Sequence, residues 1–318
     1  MLSKSMNDWE ELSMPQNNES LYHQPVMLEQ CMEALAIREE GTYVDVTFGG
    51  GGHSRAIMQR LGDGGRLFAF DRDADALSCA IDDERFTLIH ENYRYVKNYL
   101  RLHGVRKIDG LIADLGISSH QIDDGERGFS TRFDGPLDLR MDRRETTTAA
   151  DLVNSAEEAE LERILRLYGE LPNARQIARA IAAARQQSPI TTTAQLREAV
   201  LPFAPRGREN KMLAMVFQAL RIEVNGELES LKQMLMQAVE LLNEGGRLCV
   251  ISYHSLEDRL VKNIMRSGNF DGVVEKDFFG NPQVPLRVVS RKPITADEQE
   301  LQMNNRSRSA KLRVAEKL

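Results

Sequence analysis

Three aspartates stand where short β-prone runs end, and each is followed by residues typical of a loop. Asp45 ends the first run and precedes four glycines at 49–52, Asp71 follows the second run, and Asp114 follows the fourth. A carboxylate in such a place can accept hydrogen bonds from ribose hydroxyls, attract a cation, or take a proton from a reacting amine. The sequence therefore predicts a ligand site at the ends of strands.

The glycine loop indicates which cofactor this site takes. Folds that bind S-adenosylmethionine and folds that bind NAD both use such a loop, with an acid about twenty residues later that Asp71 supplies here. Asp45 separates the two, because its charge would repel the pyrophosphate of NAD and attract the amino group and sulfonium of S-adenosylmethionine. The loop thus favours S-adenosylmethionine, and His53 is predicted to line it. A structural turn without a ligand is the alternative.

Two polar segments could act on a nucleobase. The first begins Asp114-Leu-Gly-Ile-Ser-Ser-His120-Gln121. A cytosine amino nitrogen is a poor nucleophile, and an acceptor for its proton would raise its reactivity, so Asp114 is the predicted acceptor. The second segment follows the fifth run and contains His254, which is predicted to shuttle a proton or orient the base. A structural histidine is the alternative there.

The elements that must hold these residues alternate between two periodicities. Helical spacing separates the β-prone runs, which predicts an α/β fold with a parallel, doubly wound sheet. The runs lie at 42–46, 66–70, 86–90, 109–113 and 247–253.

More than a hundred residues separate the fourth and fifth runs, which is too long for a simple crossover. Helical patterns fill this stretch at 149–153, 157–168, 174–186 and 193–201, with Thr148 and Thr192 or Thr193 as candidate caps. The sequence therefore predicts an inserted all-helical domain. The predicted division is a disordered arm at 1–20, a core at 21–122 and 209–318, and the insert at 123–208.

Composition limits the classes of function. The 318 residues, 42% of them apolar, can bury a sizeable core. A net charge of −7 argues against a protein that coats nucleic acid nonspecifically, so an RNA site must be local. The basic tail with Arg306, Arg308, Lys311 and Arg313 is one candidate, and a solvated charged end is the other interpretation.

Neither a membrane span nor a metal site is indicated. No apolar run is long enough to cross a bilayer and the N-terminus does not resemble a signal peptide, so we expect a cytoplasmic protein. Cys31, Cys79 and Cys249 stand singly, without the spacing of a zinc site or a disulfide framework. Core packing is their predicted role, and the chain carries no signal for an oligomeric state.

From Tyr22 onward the chain resembles the ribosomal RNA cytosine-N4 methyltransferases, the RsmH or MraW family. The motifs that carry the resemblance are His23-Gln-Pro-Val-Met-Leu28, Asp45-Val-Thr-Phe-Gly-Gly-Gly-Gly-His-Ser54, Phe70-Asp-Arg-Asp73, Asp114-Leu-Gly-Ile-Ser-Ser119, Arg127-Gly-Phe-Ser130, Asp134-Gly-Pro-Leu-Asp138, Phe217-Gln-Ala-Leu-Arg-Ile222, Ile251-Ser-Tyr-His-Ser-Leu-Glu-Asp-Arg259 and Arg306-Ser-Arg-Ser-Ala-Lys-Leu-Arg313.

The resemblance implies a class I methyltransferase core with a helical insert, acting on cytosine 1402 of 16S rRNA in the decoding centre of the small ribosomal subunit. By position it implies that the residues contacting S-adenosylmethionine are Gly51, Gly52, His53, Asp71, Tyr93, Asp114 and Gln121. Asp114 thus receives two predicted roles, since the residues alone assign it to the target base.

Other functions remain open at this stage. A methyltransferase acting on DNA or a small molecule would share the cofactor site. DNA enzymes of this type usually show an Asp or Asn, two prolines and an aromatic after the fourth strand, whereas this chain reads Asp114-Leu-Gly-Ile, so DNA is not the expected partner. A non-catalytic RNA-binding factor for ribosome assembly, which keeps the fold without turnover, belongs to a different class.

Overall fold

The computed structural model describes residues 25–131 and 134–318, so the arm predicted at 1–20 and His23 of the first motif lie outside the described residues. The strands are β1 (Thr42–Asp45), β2 (Arg66–Asp71), β3 (Phe86–His90), β4 (Ile108–Asp114), β5 (Leu242–Ser252), β6 (Leu286–Val288) and β7 (Lys311–Lys317). The α-helices are α1 (Leu28–Leu35), α2 (Gly52–Met58), α3 (Val96–Leu102), α4 (Ser119–Asp123), α5 (Ala149–Ser155), α6 (Glu158–Leu167), α7 (Ala174–Gln187), α8 (Thr193–Val200), α9 (Glu209–Asn225), α10 (Glu227–Leu241), α11 (Ser255–Ser267) and α12 (Glu298–Met303).

The strands form one sheet with the order β3-β2-β1-β4-β5-β7-β6. The first five strands are parallel, as the alternating periodicity predicted, and the doubly wound α/β fold is confirmed. In a parallel sheet the carboxyl ends of the strands share one edge. Asp45, Asp71 and Asp114 therefore lie along the same edge, next to the segments that follow β3 and β5.

The last two strands were not predicted. β7 pairs antiparallel with β5, with Cys249 opposite Val314, and β6 pairs antiparallel with β7. The basic tail thus forms part of the sheet, and the interpretation as a solvated end is wrong for Lys311 and Arg313. The side chain of Arg306 lies outside the described part of the chain.

β5 also begins earlier than its apolar run, which starts at Arg247. Ile108 pairs with Leu242 and Gly110 pairs with Arg247, so residues 243–246 form a bulge inside the strand. Gly245 has a φ of +75°, a conformation that favours glycine. A bulge interrupts the alternation of side chains, which is why periodicity placed the strand start too late.

Helices α5–α8 confirm the predicted helical patterns. Thr148 accepts a hydrogen bond from the Asp151 N–H and Thr192 from the Gln195 N–H, each in a capping box, whereas Thr193 is the first residue of its helix. A separate apolar cluster joins these helices to α9, where the close contact at Gly169 lets two helices approach. The division of the chain at 123 and 208 stays a prediction.

Two further apolar clusters cover the faces of the sheet. One packs α3, α10 and α11 against one face, and the other packs α1 and α2 against the opposite face. Cys31 and Cys249 are buried in the second cluster, as expected for core packing. Among the described residues, no helix combines the length and apolarity that crossing a membrane requires.

Candidate functional site

The glycine loop is fastened to the acid at the end of β2. The Gly49 N–H donates to Asp71 Oδ2 at 2.7 Å, and the Asp73 N–H donates to Asp71 Oδ1 at 2.8 Å. Burial raises the pKa of Asp71 to about 6. Gly49 has a φ of +52°, and nothing lies within 4 Å of the place where its Cβ would be. The loop therefore presents open backbone next to a half-buried carboxylate.

Asp45 lies deeper than the sequence suggested. Its side chain is 1% exposed, and it accepts hydrogen bonds from the Thr47 N–H at 3.0 Å and from the Ser54 hydroxyl at 2.7 Å. Burial raises its pKa. These contacts tie the end of β1 to α2, so the structure gives Asp45 a role in shaping the loop. Its predicted attraction for a cationic ligand stays a prediction.

The remaining loop residues pack against the segment before α1. A Cβ on Gly52 would overlap Pro25, so glycine is needed here for close packing within the protein. His53 is buried, and its Nε2 lies 3.1 Å from the Val26 carbonyl oxygen. Gly51 has a φ of +78° and precedes α2. The family resemblance implies that Gly51, Gly52 and His53 contact the cofactor, and this stays a prediction.

Asp114 connects β4 to the neighbouring strands. Its Oδ1 accepts a hydrogen bond from the Tyr253 hydroxyl at 2.7 Å, and its N–H donates to Thr47 Oγ1 at 2.7 Å. Burial raises the pKa of Asp114 to about 6, and the nearby charges of Asp45 and Glu257 act in the same direction. A carboxylate with this pKa is ionised at neutral pH and is a better proton acceptor than an ordinary aspartate.

His254 caps the helix that follows β5. Its Nδ1 accepts a hydrogen bond from the Glu257 N–H at 3.4 Å, and its Nε2 lies 3.1 Å from Glu257 Oε1. Glu257 also accepts from the Tyr253 N–H at 3.0 Å. The contact at Nδ1 supports the structural alternative, whereas Nε2 is buried and forms no hydrogen bond within the described residues. Its predicted part in catalysis stays a prediction.

A buried ion pair stands beside this cap. Arg221 donates from Nε and Nη2 to the two carboxylate oxygens of Glu227 at 2.8 and 2.9 Å. Ligand atoms of Glu227, His254 and Glu257 lie within 4.8 Å of one another, a spacing that metal ligands can have. Glu227 is already engaged by Arg221, and the Nδ1 of His254 accepts from the Glu257 N–H. We therefore assign the cluster to charge pairing and helix capping.

Gln121 and Tyr93 complete the predicted set. Gln121 is buried in α4, where its Oε1 accepts from the Ser118 N–H in a capping box and its Nε2 donates to Asp73 Oδ2 at 2.6 Å, in the segment after β2. Tyr93 begins a 3₁₀ turn after β3, packs partly buried against the core, and has a pKa raised by burial. Both residues stand at the same sheet edge as the aspartates.

Three residues at the site have no role predicted from the sequence: Tyr253, Glu257 and Arg127. Tyr253 and Glu257 belong to a motif that was noted only for its polarity, although Glu257 occupies the third helical position after His254, where a capping partner is common. Arg127 begins a motif of the family resemblance, but its role could not be predicted because its partners are distant in sequence. Contacts between residues that are distant in sequence cannot be predicted from the spacing of neighbouring residues.

The basic tail contacts α11 at Asp258. Arg313 Nε donates to Asp258 Oδ1 at 2.7 Å, and Lys311 Nζ lies 3.9 Å from Asp258 Oδ2. Arg308 is exposed. The Arg313 side chain is thus engaged in an ion pair with the protein, which reduces what the tail can offer to RNA phosphates.

Known proteins are similar to this chain over most of its length. The model of the MraW methylase family matches residues 20–318. A protein of Bacteroides fragilis named ribosomal RNA small subunit methyltransferase H is 56% identical over 299 residues, which cover 94% of this chain and 98% of the relative. A protein of the same name from Flavobacterium johnsoniae is 53% identical over 297 residues, with coverages of 93% and 98%.

Among solved structures, the chain is similar to a putative rRNA-methylase from Clostridium thermocellum. The two are 14% identical with a TM-score of 0.44, and the match covers 91% of this chain and 96% of the other. The family match and the relatives in sequence confirm the resemblance that the motifs indicated.

Proposed function

Because the chain belongs to the MraW methylase family, we propose that it transfers the methyl group of S-adenosylmethionine to the N4 nitrogen of cytosine 1402 in 16S rRNA of the small ribosomal subunit. The proposed setting is the cytoplasm, where small subunits are found in bacteria. The relatives' name supports methylation of small-subunit rRNA, and the residues of the cleft support an amino nitrogen as the acceptor.

One observation carries the cofactor assignment. Asp45, Asp71 and Asp114 lie along one sheet edge, and among the described residues none of the three forms an ion pair with an Arg or Lys. Burial raises the pKa of each carboxyl, so the edge holds negative charge at an energetic cost. A cofactor with a sulfonium and an ammonium group would relieve that cost, whereas a pyrophosphate would increase it.

The residues that would hold the cofactor follow from this fit. Asp71 would accept the ribose hydroxyls beside the open backbone of Gly49, Tyr93 would pack on the adenine, and Asp45 would contribute its field to the methionine end. When bound, S-adenosylmethionine supplies an electrophilic methyl group. The chain's own contribution is to place and polarise the acceptor nitrogen.

Asp114 would act on that nitrogen. Its carboxylate would accept a hydrogen bond from the cytosine amino group and receive the proton that the amine releases. The Tyr253 hydroxyl fixes the carboxylate by donating to Oδ1. The cytosine must leave its stack to enter the cleft, as bases do in enzymes that modify them.

The proposal is tested by transfer of radiolabelled methyl from S-adenosylmethionine to small ribosomal subunits from cells that lack the endogenous enzyme. We expect label in the rRNA of these subunits and none in duplex DNA. Label in DNA alone would contradict the proposed substrate. Cofactor binding without transfer to any nucleic acid would favour a non-catalytic RNA-binding factor.

Replacing Tyr253 with Phe should move the acidic limb of the pH profile upward. The Tyr253 hydroxyl stabilises the ionised form of Asp114, so its removal raises a pKa that is already about 6. We expect a shift of roughly half to one pH unit in kcat, with the activity recovered at alkaline pH. The measurement is kcat from pH 5 to 9 with cofactor and RNA saturating.

Tyr43→Phe is the matched control for this shift, because the Tyr43 hydroxyl accepts a hydrogen bond from the Arg38 N–H near the start of β1, at the opposite edge of the sheet. Its profile should coincide with that of the unmodified protein. An acidic limb that stays in place in Y253F would show that Asp114 does not govern the rate.

Replacing Asp45 with Asn should weaken cofactor binding by about 1–3 kcal/mol, the usual range for losing a charge-assisted contact. Part of this loss would come through the loop, because Asp45 accepts hydrogen bonds from Thr47 and Ser54. Calorimetric titration with S-adenosylhomocysteine measures the effect.

Asp109→Asn is the control, since Asp109 is also a hydrogen-bonded carboxylate of the sheet but lies near the start of β4, at the opposite edge. It should leave the affinity unchanged. Equal affinities for D45N and the unmodified protein would remove the electrostatic reason for preferring S-adenosylmethionine to NAD.

A further inference from the structure

Arg127 is a fully buried arginine between the cofactor edge, the sheet edge that carries Asp71, and the helical part of the chain, helices α5–α9. It lies in a 3₁₀ turn after α4, and its side chain is 0% exposed. Nη2 donates to Asp73 Oδ2 at 2.8 Å and Nη1 donates to Asp75 Oδ2 at 2.7 Å. A buried guanidinium needs such partners, because an unpaired charge in the interior is strongly destabilising.

The same guanidinium also binds backbone on the far side. Nη2 donates to the carbonyl oxygens of Arg140 and Met141, each at 3.1 Å. The neighbouring Asn225, at the end of α9, donates to the Leu139 carbonyl oxygen and accepts from the Met141 N–H. Arg127 therefore fastens the segment after β2 to a loop that packs with the helices.

Asp73 links Arg127 to Asp71 at the cofactor edge. Its N–H donates to Asp71 Oδ1 at 2.8 Å, and its own carboxylate accepts from Arg127 and from Gln121 Nε2. The hydrogen bonds from Arg127 and Gln121, with the charge of Arg127, outweigh burial and keep the pKa of Asp73 below its usual value. Asp71 thus owes one of its two described hydrogen bonds to a residue that Arg127 holds.

We infer that Arg127 is a positioning residue for the cofactor, which holds Asp71 in place through Asp73 and joins that acid to the helical part of the chain. This inference rests on the proposed function, because it takes Asp71 as the acceptor for the cofactor ribose. It also gives the Arg127-Gly-Phe-Ser130 motif a role that the reaction itself does not require.

Arg127→Lys tests the inference, because lysine keeps the charge but lacks the planar fork that reaches two carboxylates and two carbonyls together. We expect S-adenosylhomocysteine to bind about tenfold more weakly, as for the loss of one well-placed polar contact. In the methyl-transfer assay the KM for S-adenosylmethionine should rise by a similar factor, while kcat at saturating cofactor stays within about twofold.

Arg85→Lys is the matched control. Arg85 donates to both carboxylate oxygens of Asp83 and to the carbonyl oxygens of Leu61 and Gly62, but it lies before β3, at the opposite edge of the sheet from Asp71. It should change neither the affinity nor the KM. Thermal unfolding of each variant shows whether the fold is retained.

If R127K does not fold, Asp75→Asn takes its place, because this change removes the carboxylate charge that faces Arg127 Nη1 and His120 Nε2 at a partly exposed residue. We expect a loss of about threefold in affinity. A folded R127K or D75N that binds S-adenosylhomocysteine as the unmodified protein does would overturn the inference. Binding is measured without RNA, so a protein that binds the cofactor and methylates no rRNA would contradict the proposed function alone.

Discussion

Replacing Asp114 with Asn should abolish methyl transfer and make the folded protein more stable. An amide cannot receive the proton of the cytosine amine, and losing a general base lowers rates by about 10²–10⁴-fold. The stabilisation has a separate cause. Burial raises the pKa of Asp114 from 3.8 to about 6, so the folded protein holds this carboxylate ionised at a cost above that pH.

The sign follows from proton binding. Between pH 3.8 and about 6 the folded protein binds a proton at Asp114 that the unfolded chain has released, so this group's contribution to stability falls as the pH rises. Asn cannot ionise, and it still accepts the Tyr253 hydrogen bond. We expect D114N to gain about 1–3 kcal/mol in free energy of unfolding at pH 7.5, and less at pH 5.

Urea unfolding at the two pH values measures the gain, and the methyl-transfer assay measures the loss. Asp71→Asn is the matched control, because burial raises the pKa of Asp71 to about 6 as well. Its gain in stability should be smaller, because Asp71 Oδ1 and Oδ2 each accept a backbone N–H and an amide offers only one acceptor oxygen. Its functional defect should lie in cofactor affinity instead of kcat. An active D114N, or one that is destabilised at pH 7.5, would contradict the role given to Asp114.

Replacing Arg221 with Met should have the largest effect on stability. The change leaves Glu227, whose side chain is 6% exposed, as a buried carboxylate without its bidentate partner. Breaking a buried ion pair from one side costs about 3–5 kcal/mol. The double variant R221M/E227M should regain most of this loss, because it removes both charges and keeps apolar volume.

The measurement is urea unfolding of both variants at pH 7.5. Arg166→Met provides the control, since Arg166 pairs with Glu162 on an exposed face of α6, where an ion pair contributes under about 1 kcal/mol. If R221M loses no more free energy of unfolding than R166M, the Arg221–Glu227 ion pair beside His254 does not stabilise the fold.

Much of the fold follows from local sequence. Each parallel strand combines a short apolar run with a loop-forming end, and burial on both faces demands that composition. The aspartates at 45, 71 and 114 could be placed at one edge because parallel strands end together. The helices of the long segment could be found from their spacing and from the caps at Thr148 and Thr192.

The parts that escaped prediction depend on contacts between distant residues. β7 mixes charged and apolar residues, and it becomes a strand because it pairs with β5, whose paired residues lie 59–69 positions earlier. Gly52 is required by the position of Pro25, and Arg127 by an acid 54 residues away. Tertiary structure creates these environments, so neither the spacing nor the type of the residues predicts them.

The candidate site shows the same division. Residue types at strand ends were enough to indicate a cationic cofactor and an amine acceptor. Residue types did not indicate the hydrogen-bond partners of those residues, and the partners change the interpretation. Asp45 shapes the loop from a buried position, and His254 faces Glu257. A chemical role predicted from sequence therefore needs the hydrogen-bond partners before it becomes a mechanism.

The most direct test is nucleoside analysis of 16S rRNA after the purified protein has acted on small subunits from cells that lack the endogenous enzyme. Mass spectrometry of the digested RNA, with nuclease mapping of the modified fragment, identifies both base and position. We predict N4-methylcytidine at cytosine 1402 with the unmodified protein and none with D114N. A methyl group on another atom or another base, or an RNA left unmodified by a protein that binds S-adenosylmethionine, would contradict the account.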